Sequence, residues 1–129
     1  RHLEVLSADF SDVMQLDISL EGAAYSITAE GSGDGHTYSY LGEELEIGDL
    51  QSALESLKAE SFTDERPTQK KEIGLTVHLD NENYPEVRIE LYRYDGTNCL
   101  AVVDGTPVSL VARADVVDLI EAVNEIVLN

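Results

Sequence analysis

The sequence predicts an α+β fold built from two β-meander-plus-helix repeats, a mostly antiparallel sheet with two helices packed on it. Three observations carry this. Apolar and polar residues alternate over Met14, Leu16, Ile18 and Leu20, and again over Ile73, Leu75, Val77 and Leu79, the period of strands buried on one face. Two stretches carry apolar residues at helical spacing with matching offsets, Leu50, Ala53, Leu54, Leu57 and Val116, Leu119, Ile120, Val123, and each opens on an aspartate, Asp49 or Asp115. Most gaps between strands are too short for the crossover that parallel pairing requires. With 129 residues, 43% of them hydrophobic, the chain has the length of a single domain, 1–129. Repeat one is expected over about 13–62, a connector over 63–72 and repeat two over about 73–128.

In chain order, Leu3, Val5, Leu6 and Phe10 suit a short N-terminal edge element. After the first strand, Glu21-Gly22 turns the chain into a second strand carrying Tyr25, Ile27 and Ala29. Gly31-Ser32-Gly33-Asp34-Gly35 then interrupts it, because glycine enters positive φ without steric cost. Thr37 to Leu41 reads as a strand, with a short one near Leu45 and Ile47. Asp49 N-caps the first helix, its carboxylate accepting from first-turn amides and complementing the helix dipole, and the apolar stripe carries this helix to near Ser61 or Phe62. Thr63 to Glu72 is polar and holds Pro67, the composition of a connector.

In the second half, Asp80-Asn81-Glu82-Asn83 forms a turn, and Val87, Ile89 and Leu91 alternate with Arg88, Glu90 and Tyr92. Asp95-Gly96 and Asp104-Gly105 are hairpin signals that bracket a strand from Cys99 to Val103, with another at Val108 to Val111. Asp115 caps the last helix and Asp118 adds charge to its first turn. Its stripe of Val116, Leu119, Ile120, Val123, Ile126 and Val127 is wider than that of the first helix and predicts deeper burial.

Charge excludes several functions. There are 26 acidic and 8 basic residues, a formal net charge of -18, which repels phosphate backbones and argues against nucleic-acid binding. Arg1 is the only Lys or Arg before Lys58, so the charge is uneven along the chain. The single cysteine, Cys99, lies in an apolar run and reads as a buried inert thiol; it permits neither an intrachain disulfide nor a cysteine zinc site. No run of about 18 apolar residues marks a transmembrane helix, and with no basic stretch followed by an apolar one, no signal peptide is expected within these residues. The chain opens on Arg1 rather than Met, which predicts a processed piece whose targeting segment is not shown.

The chemistry-bearing residues form no catalytic motif. His2, His36 and His78 fall in a chain end, a glycine loop and a strand, none beside a G-x-S-x-G nucleophile, and His78 is expected to face solvent opposite Leu75, Val77 and Leu79. No phosphate-binding loop occurs, and the acidic turns lack EF-hand spacing, so no catalytic residue, metal site or cofactor is expected. Arg88, Glu90 and Tyr92 share one strand face and suit a solvated, salt-bridged surface. Tyr38/Tyr40 and Tyr92/Tyr94 each place two phenols on one side of a strand. Such pairs stabilise cross-strand contacts, or, on an exposed face, offer a platform for a glycan or peptide; these four are the candidate ligand-binding residues.

Leu54 to Phe62 (LESLKAESF), the polar Pro-containing linker, Glu72-Ile73-Gly74-Leu75, the strand pair and the closing DVVDLIEAVNEIVL together resemble a bacterial family catalogued as domain of unknown function 4340. The resemblance runs from about Met14 onward. It implies an extracytoplasmic domain of a membrane-anchored or secreted envelope protein, with the N-terminal anchor missing from this chain, and it supplies no catalytic residues. The function expected is a non-catalytic interaction or scaffold module, its partner another envelope protein or the rest of its own chain. The alternatives are a ligand-binding module for a glycan, peptide or cation, and an acidic mimic that occupies a basic partner with salt-sensitive binding.

Overall fold

The computed structural model describes Val5 and residues 12–30, 37–80, 82 and 85–128. His2, His36, the glycine run 31–35 and most of the expected N-terminal edge element lie outside the described residues, as do Asn81 and Asn83 of the expected turn. The strands β1 (Val13–Leu20), β2 (Ala23–Glu30), β3 (Thr37–Tyr40) and β4 (Glu43–Leu45) lead into helix α1 (Gly48–Glu55), followed by β5 (Ala59–Phe62). Then β6 (Lys71–Leu79), β7 (Glu86–Arg93), β8 (Asn98–Val103) and β9 (Thr106–Ala112) lead into α2 (Arg113–Val127). All nine strands join one sheet in the order β4-β3-β2-β1-β6-β7-β8-β9-β5, with antiparallel neighbours. The fold is thus α+β with an antiparallel sheet.

The seam at the centre of the sheet is β1 against β6, where Leu16 faces Val77 and Ile18 faces Leu75. From it the two meanders run outward in opposite directions. Leu16, Ile18, Ile27, Leu75, Val77, Ile89 and Leu91 point to the helix side and form one core with Leu50 and Leu54 of α1 and Val116, Leu119 and Val123 of α2. The helices lie against each other, and α2 also touches β8 and β9. Burying each of these large side chains contributes about 1.5–3 kcal/mol before entropy is counted.

Three connections are tight two-residue turns with both central residues at positive φ: Glu21-Gly22, Leu41-Gly42 and Asp104-Gly105. That conformation matches the twist of the flanking strands, and glycine supplies the second position freely. Asp95-Gly96 is different. Asp95 Oδ1 accepts from the amides of Thr97 and Asn98, at 2.9 and 2.7 Å, and makes a side-chain-closed loop rather than a two-residue hairpin.

The structure corrects four expectations. The first helix ends at Glu55, not near Phe62, and Ala59–Phe62 is a strand pairing with β9, because the open edge of β9 satisfies its backbone while the stripe is completed by Leu57 from outside the helix. Asp49 and Asp115 are not N-caps. The cap positions are Ile47 and Ala112, without side-chain capping bonds, and both aspartates sit inside the first turn, where the dipole still favours them. Met14 is 50% exposed, because a bulge between Val13 and Gln15 puts Val13 into the core in its place. Finally, β6 begins at Lys71, inside the expected connector.

Candidate functional site

Both helices cover the same face of the sheet, so neither covers the opposite face of the central strands, where Ser19, Ser26, Thr28 and Arg88 are exposed. Along β2, β1, β6 and β7 it presents Ser26 and Thr28, Gln15, Asp17 and Ser19, Thr76 and His78, and Arg88 and Glu90, the outward phase of each strand. Farther along, the outward-pointing Leu100 and Val102 of β8 are buried. The connector returns past that half of the sheet: the Thr63 amide donates to the Val108 carbonyl, the Arg93 amide donates to the Lys70 carbonyl, and the Tyr94 hydroxyl donates to Glu65 Oε2.

Asp17 organises the open half. Its Oδ1 accepts from Gln15 Nε2 and Ser26 Oγ, both at 2.7 Å, and its Oδ2 lies 2.7 Å from His78 Nε2. Partial burial alone would raise the carboxyl pKa, but the hydrogen bonds from Ser26, Gln15 and His78 and the His78 charge outweigh it and hold the group below its ordinary value. Serine, histidine and aspartate meet here without the order of a nucleophilic relay. The Ser26 hydroxyl donates to the carboxylate rather than to the imidazole, so Ser26 is not presented to the histidine for activation. The arrangement fixes charges in place.

Beside this network lies a hollow of about 290 Å³, whose lining includes Asp17, Ser19, Ala24, Lys71, Gly74, Thr76, Arg88 and Glu90. Lys71 Nζ stands 3.5 Å from Glu90 Oε2, which also accepts from the Tyr92 hydroxyl at 3.2 Å. Burial, then the Glu90 charge and this hydrogen bond, push the Tyr92 phenol up. On the helix side, a groove of about 320 Å³ between α1 and α2 is lined by Asp49, Asp115, Asp118, Glu121 and Glu125, with Ser52 and Ser56 and no cation. Among the described residues no group of three or more His, Cys, Asp or Glu side chains is placed to hold a metal ion.

The four candidate tyrosines do not form one platform. Tyr38 and Tyr40 point to the helix side, half-buried against the core, and Tyr40 meets Tyr25 edge-to-face with ring centroids 6.2 Å apart. Tyr92 is on the opposite face with Glu90, and Tyr94 follows it and ties down Glu65. Pleating separates the pairs, because Tyr38 faces Leu45 across β4 while Tyr92 shares its phase with Arg88 and Glu90. Cys99 is fully buried, and burial, together with the Glu72 charge, pushes its thiol up; Glu72 itself receives Arg93 Nε at 2.9 Å and lies 3.7 Å from Arg113 Nη2. Sequence reasoning placed His78 on the solvent side but missed Asp17 beside it. The alternation puts each on an outward phase, whereas the register that joins residues 61 apart exists only once β1 and β6 pair. Compared with known proteins, the chain matches no family model, no curated protein and no solved structure.

Proposed function

We propose that this chain is a non-catalytic interaction module of an extracytoplasmic bacterial protein, membrane-anchored or secreted, made of two meander-plus-helix repeats like those of the domain of unknown function 4340 family. The observation that carries the reading is the sheet face over β2, β1, β6 and β7 that neither helix covers, where Gln15, Ser26 and His78 are held by hydrogen bonds to Asp17. A sheet face that is prearranged and polar loses little side-chain freedom when a partner docks on it. The partner is another envelope protein or a further part of the same polypeptide.

Site-specific photo-crosslinking in the bacterial envelope tests this. A crosslinker at Thr28, on the open face, should yield a discrete adduct, and one at Val117, exposed on α2, should not. Equal labelling from both positions, or none from Thr28, would overturn the reading.

A further inference from the structure

We propose that the hollow beside Gly74 binds a small zwitterion of the free amino acid type, its carboxylate toward Arg88 and Lys71 and its ammonium toward Asp17 and Glu90. The starting point is a glycine inside a strand, next to the bulge between Lys71 and Ile73. Gly74 sits inside the central strand β6, opposite Ser19 on one side and Glu90 on the other. Glycine there weakens a strand, and it is found where a bulge, a bend or the close approach of another group requires it. The backbone at Gly74 is not in the left-handed region, and the nearest atoms a Cβ would meet belong to the flexible arm of Lys71, at 3.5 to 3.8 Å. Neither conformation nor these contacts exclude a Cβ. The missing side chain leaves room for the Lys71 arm and for the hollow beside it.

The chemistry of the lining selects the ligand. With Ser19 and Ala24 the glycine makes a floor of small residues, and the rim carries two cations, Lys71 and Arg88, and two carboxylates, Asp17 and Glu90. Among the described residues no carboxylate lies within salt-bridge distance of the Arg88 guanidinium. The Lys71 side chain is 38% exposed and its contact with Glu90 is long, so the ammonium can turn toward a second carboxylate at little cost. A net charge of -18 repels anions from the whole molecule, whereas a zwitterion is neutral at long range and meets both signs at the rim. About 290 Å³ equals the liquid volume of roughly ten water molecules, room for a small metabolite rather than a drug-sized ligand.

The hollow lies on the open face assigned to the partner, but its ligand titration uses the chain alone, so crosslinking at Thr28 and ligand titration can fail separately. The test is a ¹H–¹⁵N NMR titration of the whole chain with glycine and with L-glutamine, alongside acetate and ethylammonium as the two half-ligands. Glycine or glutamine should give saturable shifts at the amides of Gly74, Thr76 and Arg88. Arg88→Gln, at an exposed position, and Gly74→Val should each weaken binding about tenfold or more, and Tyr38→Phe should leave it unchanged. Shifts that acetate alone reproduces, shifts that survive both substitutions, or no saturable shift would overturn the proposal.

Discussion

The two halves of the chain bring the same apolar spacing to their helices and leave them by different routes. In the second half, α2 continues through Val123 to Val127 with its stripe facing the core. In the first, the helix stops at Glu55, the Leu57 amide donates back to the Leu54 carbonyl at 3.2 Å, and the chain crosses to the edge of β9 as β5. Leu57 is nonetheless fully buried, and its carbonyl accepts from the Val5 amide. The spacing states which side chains must leave water. It does not state that a continuing helix is what buries them, because a free sheet edge nearby satisfies the backbone equally well.

The largest expected effect tests whether Leu57 and Leu119 are equivalent despite their different backbones. Leu57→Ala and Leu119→Ala should each lower unfolding stability by about 2–5 kcal/mol, since both remove a fully buried leucine from one core. Urea melts of the two variants measure it. A loss below about 1 kcal/mol at Leu57 alone would mean that its burial is incidental and that the first half ends at the helix.

The next contrast lies in two turns of the same shape. Leu41-Gly42 and Asp104-Gly105 have φ of 53° and 83° and of 51° and 83°. Asp104 suits the left-handed conformation, and its Oδ1 accepts from the Arg88 amide at 2.9 Å, tying the turn to β7. Leu41 is 84% exposed and gains nothing visible from being leucine. Asp104→Leu should cost about 1–2 kcal/mol through lost hydrogen bonding and left-handed strain. Leu41→Asn should stabilise by roughly 0.5–1 kcal/mol, since asparagine tolerates that conformation. Thermal melts of the pair, moving in opposite directions, would confirm that one turn is adapted and the other tolerated.

Much of the fold was legible because its signals are local. Period-two alternation found β1, β6 and β7, and X-Gly pairs found the Glu21-Gly22 and Asp104-Gly105 turns. What was not legible depends on residues distant in the chain. Ala59–Phe62 has no pattern that separates a strand from the end of a helix until β9 offers an edge, and the bulge that swaps Met14 for Val13 follows from the register with β6. The surface chemistry shows the same limit: the tyrosines are prominent in the sequence, yet sheet pleating divides the pairs between two faces, and the Asp17–His78 contact has no sequence signature. Ser61→Val sharpens the point, because Ser61 faces Leu110 in the β5–β9 pair. A β-branched residue there should add roughly 0.2–1 kcal/mol of stability in a strand, whereas in a helix it would subtract.

The smallest expected effect concerns the seam where the halves meet. Asp17 on β1 bonds Gln15 and Ser26 from the first half and His78 from the second. Its carboxyl is held below the ordinary value of 3.8, so the charge stabilises the fold at pH values above that of the unfolded carboxyl and loses this effect as pH falls through the lower folded value. Asp17→Asn should therefore reduce the urea midpoint modestly at pH 7, and the gap between variant and parent should narrow below about pH 4. The effect is small because the Asp17 side chain is 39% exposed and water screens its contacts. If the gap is instead as wide at pH 3 as at pH 7, the network holds the two halves through hydrogen-bond geometry rather than charge, and His78 needs only a neutral acceptor to stay in place.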